Sequence, residues 1–180
     1  MIKPQDENVI LNDEKVLETL LKVELEIKDS NGCEIGVVVD RNGKEIYRVN
    51  GQKAEVEAPP DDLVKNNVFT HNHPSGNCAF SNNDIYNIVK QDGYELRAVT
   101  SDGRFVSLRK NANVWDANIL SGFSKVSGYR LFVKASQLAQ IKHSGQATPI
   151  QINKEAENLV NEWLRNNAEK YGYIFTEGVI

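Results

Sequence analysis

The stretch from Val68 to Thr100 constrains this chain more than any other. VFTHNH reads as an extended run, PSGNCAF as a loop, and the segment from Ser81 to Asp92-Gly93 as a helix. YELRAVT then returns as a strand, and Ser101-Asp102-Gly103 joins it to a second strand, RFVSLRK. In that helix Ile85, Ile88 and Val89 share the inward side. A strand, a helix and a further strand pair in this order require a sheet with a helix packed on it.

The flanking segments extend the pattern. Residues 13–22 place Val16, Leu17, Leu20 and Leu21 at helical spacing behind the capping candidate Asn12. Asn31-Gly32 is a turn signal, GVVVD a buried strand, and Asn42-Gly43 closes a hairpin onto KEIYRV. A short strand is expected near AEVEA, ended by Pro59-Pro60, with DDLVKNN as a brief helix opened by a proline and carboxylates. Residues 114–142 read as helical, interrupted at Gly122 and Gly128. From 152 to 171, Ala156, Leu159, Val160, Trp163, Leu164 and Tyr171 form one apolar stripe of an amphipathic helix. The expected fold is α/β (α+β), a mixed β-sheet flanked by helices, with residues 1–112 as the core. Residues 113–180 form a mostly helical extension whose apolar face packs on that core or on a partner.

Charge and cysteine content narrow the function. The net charge of −4 is uneven: residues 1–103 carry 11 basic and 19 acidic side chains, while residues 104–150 carry seven basic and one acidic. The chain is thus no bulk polyanion binder, although the basic stretch leaves open a local nucleic-acid face. No apolar run approaches the roughly 20 residues of a membrane span, and MIKPQDENVI lacks the layout of a secretory signal. Two cysteines, Cys33 and Cys78, are too few for a disulfide framework, so a reducing, cytoplasmic setting is expected.

The chemistry-bearing residues cluster in the central segment. Two of the three histidines, His71 and His73, are one residue apart on an extended run, so both rings point to one side. Asp84 lies in the first turn of the following helix, and Pro74-Ser75-Gly76 bends the chain so that this turn can come back over the strand end. Two imidazoles and a carboxylate suit one zinc ion with a fourth position left for water, the composition of a catalytic rather than a structural site. The same residues also fit a helix cap without metal, Ser81 as N-cap and Asp84 at N3.

Written out, His71-Asn72-His73-Pro74-Ser75-Gly76 followed by Ser81 and Asp84 gives HNHPSG-x4-S-x2-D over fourteen residues. This resembles the JAMM/MPN metalloprotease motif, most closely that of the bacterial RadC-like branch. The weaker resemblance around it covers roughly residues 30–110, and it implies a deaminase-like core. It also implies a catalytic glutamate on an early strand, a role that falls on Glu34 in Glu34-Ile-Gly-Val-Val-Val-Asp40-Arg-Asn-Gly, with Glu24 and Glu26 as rivals. The implied activity is zinc-dependent hydrolysis of a peptide or isopeptide bond in a polypeptide, commonly a ubiquitin-like conjugate. Glu34 would act as general base, Ser81 as donor to the oxyanion, and one Zn2+ per chain would be held by His71, His73 and Asp84.

The sequence departs from the RadC-like pattern in three respects. The prolines usual near positions 78–80 are replaced by Cys78, Ala79 and Phe80, which predicts a looser loop with Cys78 as a small apolar residue. Only some thirty residues precede the core, so a helical DNA-binding element is not expected there. The compact form with a helical tail resembles stand-alone JAMM proteins of phages and mobile elements. Two other functions compete: a non-catalytic JAMM/MPN-fold interaction module, and a RadC-like nucleic-acid-associated protein acting through residues 104–150. A zinc deaminase is set aside, because neither H-x-E nor P-C-x-x-C occurs.

Overall fold

The computed structural model of the chain describes residues 5–30, 32–52 and 56–180, with side chains described from residue 14 onward. The elements run α1 (Gln5–Ile27), β1 (Ile35–Val39), β2 (Glu45–Asn50), α2 (Asp61–Val64), β3 (Val68–His73) and α3 (Asn82–Lys90). They continue with β4 (Glu95–Thr100), β5 (Arg104–Lys110), α4 (Asn118–Ser124), α5 (Tyr129–Lys142), α6 (Pro149–Tyr171) and β6 (Tyr173–Val179). The strands form a six-stranded mixed sheet in the order β2-β1-β3-β4-β5-β6. Only β3 and β4 pair in parallel; every other neighbouring pair is antiparallel.

A parallel pair needs a crossover, and α3 supplies it. This helix has only nine residues, too few to persist alone in water. Two features hold it. Ile85 and Ile88 are buried in the core, contributing roughly 1.5–3 kcal/mol each. A capping box closes its N-terminus: the Asp84 N–H donates to Ser81 Oγ, and the Ser81 N–H donates to the Asp84 carboxylate.

The sheet's two faces are covered separately. On one side Val16, Leu20, Val23 and Ile27 of α1 pack against Val37, Val39, Val68 and Val99. These α1 positions form a single helical stripe, and α1 extends beyond the expected residues 13–22 at both ends, so Asn12 lies within it rather than capping it. Leu17 and Leu21 face outward from α1. On the other side Ile85, Ile88, Ile119, Phe123, Val160 and Leu164 pack on Val38, Phe69, Leu96, Ala98, Val106 and Leu108.

Four further expectations meet the structure as follows. Asn31 of the turn lies outside the described residues, as do residues 54 and 55 of the strand expected at AEVEA; residues 56–58 form no strand. Gly128, at φ +71°, precedes the start of α5, but Gly122 lies inside α4. A side chain at Gly122 would collide with the Tyr171 hydroxyl and crowd the Trp163 ring, so close packing rather than a break requires the glycine. The C-terminal region, read as helical, ends in β6, which pairs antiparallel with all of β5. Among the described residues no helix is long and apolar enough to cross a membrane.

The buried face under α1 carries a charged knot. Glu24 is fully buried; its carboxylate accepts hydrogen bonds from Thr70 Oγ1 (2.9 Å) and from Arg97 Nε and Nη2 (2.6 and 2.9 Å). Arg97 also donates to Glu95 at 3.1 Å. A buried ion pair does little for net stability while intact, but losing one partner strands the other charge. Glu24→Gln is therefore expected to destabilise the protein by about 3 kcal/mol, seen as a lower urea midpoint at unchanged slope.

Candidate metal centre

β3 presents Phe69, His71 and His73 to the α3 side of the sheet and Val68, Thr70 and Asn72 to the α1 side, as strand alternation dictates. The two imidazoles meet: His71 Nε2 and His73 Nε2 are 2.9 Å apart. Asp84 approaches from the first turn of α3, its Oδ1 3.5 Å from His71 Nε2 and its Oδ2 4.0 Å from His73 Nε2. The three ligand atoms all lie within 4.8 Å of one another, and the group can hold a metal ion. A tetrahedral ion with bonds of about 2.0–2.1 Å sets its ligand atoms about 3.3 Å apart, a value these separations bracket.

Hydrogen bonding within the trio also fits a cation. His73 Nδ1 lies 2.7 Å from the Asn77 carbonyl oxygen, which can only accept, so Nδ1 carries the proton and Nε2 is bare. His71 Nδ1 is buried and makes no hydrogen bond of good geometry. If His71 Nε2 donated to His73, its own Nδ1 would be an orphaned buried acceptor. If instead Nδ1 carries the proton, two lone pairs face each other beside a carboxylate. A cation between the two Nε2 atoms would remove this second conflict. Burial is the main reason the His71 pKa falls to about 4; His73 adds to the shift, while Asp84 and the Arg97 backbone oppose it. At neutral pH the ring is uncharged and able to ligate.

Asp84 serves the cap and the trio together. Its Oδ2 accepts the Ser81 N–H at 2.7 Å, while Oδ1 is the oxygen nearer His71. Cap and metal site, alternatives in the sequence, thus use the same carboxylate. Ser81 Oγ accepts from the Asp84 N–H at 3.2 Å, and this leaves the hydroxyl proton for another acceptor.

Glu34 sits just before β1. The β1–β3 register pairs Gly36 with His71, and carried back two residues it sets Glu34 opposite His73 on the same face. Glu34, His73, Pro74, Phe80 and Ser81 line one cleft of about 190 Å3. The rival glutamates are elsewhere: Glu24 is in the charged knot on the opposite face, and Glu26 is exposed and paired with Arg48. Cys33 and Cys78 are both free thiols. Cys78 is buried in the core, and burial chiefly pushes its thiol pKa up to about 12, so it is an apolar residue in effect.

Several supporting residues were not read from the sequence. Asn72, between the two histidines, turns to the other face and ties down the segment around Glu34. Its Oδ1 accepts the Ile35 N–H at 2.6 Å, and its Nδ2 donates to the Cys33 carbonyl at 3.1 Å. Gly36 leaves room for the Phe69 ring, which stacks on His71 at a centroid distance of 5.4 Å; a Cβ there would lie 2.8 Å from Phe69 Cε2. The loop between His73 and α3 is held from outside. Arg104 Nη2 donates to the Gly76 carbonyl at 2.9 Å, Glu157 accepts the Cys78 N–H at 3.1 Å, and Asn161 donates to the Cys78 carbonyl at 3.0 Å. The strand alternation rule was sufficient to find Asn72's direction, but nothing local marked Glu157 or Asn161.

No protein-family model matches the chain, and neither a curated protein nor a solved structure does. The arrangement of the site itself carries the functional reading.

His71 makes the metal-free protein acid-sensitive. Its folded pKa of about 4 lies below its ordinary value of 6.5, so between these values the unfolded chain binds a proton that the folded chain refuses. This contribution to stability is complete above about pH 6.5 and is lost as pH falls towards 4. Melting temperatures measured in chelator from pH 7.5 to about 4 should fall more steeply for wild type than for His71→Asn.

Proposed function

We propose that this protein is a zinc-dependent metallopeptidase or isopeptidase of the JAMM/MPN type, nearest the RadC-like branch. What supports this most is the juxtaposition at the end of β3: the trio His71, His73 and Asp84, with Glu34 and Ser81 lining the cleft that His73 enters. Each residue has a role its position allows. The two imidazoles and Asp84 hold the ion. Zinc bound there supplies a Lewis acid that acidifies water towards neutral pH and polarises a carbonyl. Glu34 takes the proton of the attacking water and returns it to the leaving amine. Ser81, whose Oγ already accepts the Asp84 N–H, turns its free hydroxyl proton towards the oxyanion. The substrate is a polypeptide, and a ubiquitin-like conjugate is the isopeptide case.

The nucleic-acid reading draws less support. Of the seven basic residues in 104–150, Arg104, Lys110 and Lys142 are engaged in ion pairs with Glu157 and Asp102, Asp92, and Glu155. Those three are thereby partly neutralised, while Lys125, Arg130 and Lys134 line a separate cleft with Trp163.

Elemental analysis of purified protein should find about one zinc per chain, lost in His73→Ala and Asp84→Ala and retained in Glu34→Gln. Against a panel of peptide and isopeptide substrates, wild type should show chelator-sensitive cleavage, and Glu34→Gln should lower the rate by roughly 100- to 10,000-fold. Failure to bind zinc even after reconstitution would sink the catalytic reading in favour of an interaction module.

A further inference from the structure

The peptide group joining Asn77 to Cys78 is held at both ends. Its carbonyl accepts the Nδ1 proton of His73 at 2.7 Å, and its N–H donates to Glu157 Oε2 at 3.1 Å. Glu157 lies on α6, about eighty positions along the chain, and is buried. One peptide unit therefore stands between a buried carboxylate and a ring whose other nitrogen faces Asp84 and His71.

From this geometry we infer that Glu157 is a positioning residue for the metal centre, acting on His73 through the Asn77–Cys78 peptide. In many metal sites a carboxylate accepts the outer N–H of a ligating histidine directly, fixing its tautomer and raising its basicity. Here the carboxylate is one peptide removed. Accepting the amide proton with a charged oxygen polarises the peptide and makes its carbonyl a stronger acceptor. The stronger bond to Nδ1–H in turn shifts electron density towards His73 Nε2, the ligating atom.

The surroundings keep the peptide in place. Asn161 Nδ2 holds the next carbonyl, that of Cys78, at 3.0 Å. Arg104 donates to Glu157 Oε1 at 2.6 Å and to the Gly76 carbonyl at 2.9 Å. Lys154 also donates to Glu157 Oε1 and is itself about half exposed. These cations sit on the oxygen away from the peptide, where they draw charge off the carboxylate. Glu157 is not among the residues that line the cleft with Glu34, nor is it one of the ligand trio, and the Asn77–Cys78 peptide is its link to His73.

The inference rests on the metal-centre reading for its consequence, but not for its first test. In metal-free 15N-labelled protein, the NMR resonance of the His73 Nδ1 proton reports the strength of its bond to Asn77. Glu157→Gln can still accept the Cys78 N–H but lacks the charge, so this resonance should move upfield. Lys154→Met removes a cation from Glu157 and should move it downfield. Zinc affinity, measured by competition with a chromogenic chelator, should fall roughly tenfold in Glu157→Gln and rise in Lys154→Met. The opposed directions separate charge relay from mere packing, which would weaken binding in both variants or in neither.

An unmoved His73 proton in folded Glu157→Gln, or a shift of the same sign in both variants, would overturn the inference. Should Glu157→Gln fail to fold, the sign of the Lys154→Met shift decides alone. Should wild type bind no zinc, the zinc reading fails while the NMR comparison still tests the relay.

Discussion

Every part of the candidate site hangs on β3, a strand with the antiparallel β1 on one side and the parallel β4 on the other. Its six side chains are all buried, three on each face. Strand alternation leaves no freedom in that division: a slip of one residue would send the histidines under α1 and Thr70 into the metal cluster. The register is held by polar groups as well as apolar ones. Thr70 and Arg97 meet Glu24 only when β3, β4 and α1 are in this alignment, and a buried carboxylate tolerates no alternative without partners. The charged knot on one face thereby fixes where the imidazoles stand on the other.

The parallel pairing with β4 has a second consequence. It forces the chain to cross over the sheet by a helix, and the helix must start near the carboxyl end of β3, where ligand sites of open α/β sheets lie. Asp84 arrives beside the histidines because it is the N3 residue of that helix. Helix capping and a metal site would ask for the same thing at this spot, an acidic side chain in the first turn, and Asp84 is placed to meet both demands. The nine-residue α3 depends on its cap and on Ile85 and Ile88, so the ligand's position is tied to the hydrophobic core.

The C-terminal region participates in the same structure. β6 adds to the sheet beside β5, and α6 packs on the core through Val160 and Leu164 before Tyr171 and Gly172 turn the chain into β6. Its polar face is as consequential as its apolar one. Glu157 and Asn161, one helical turn apart, clamp the loop that separates His73 from Asp84. The loop carrying Cys78, Ala79 and Phe80 is thus secured by side-chain hydrogen bonds from another element and by burial of all three residues.

The sequence by itself determined what depends on neighbours in the chain. The hairpin at Asn42-Gly43, the strands flanking Gly103, the amphipathic stripe of α6, the shared side of His71 and His73 and the first-turn place of Asp84 follow from periods of two and 3.6 and from capping chemistry. Only the tertiary structure decided how distant segments align. It brought Glu34 into one cleft with His73, sent Glu24 to the far face and brought β6 to the sheet. It also carried a glutamate from the C-terminal helix to the peptide that supports His73. The physical reason is that a local pattern fixes which face a residue occupies, whereas register and long-range hydrogen bonds depend on how whole elements pack.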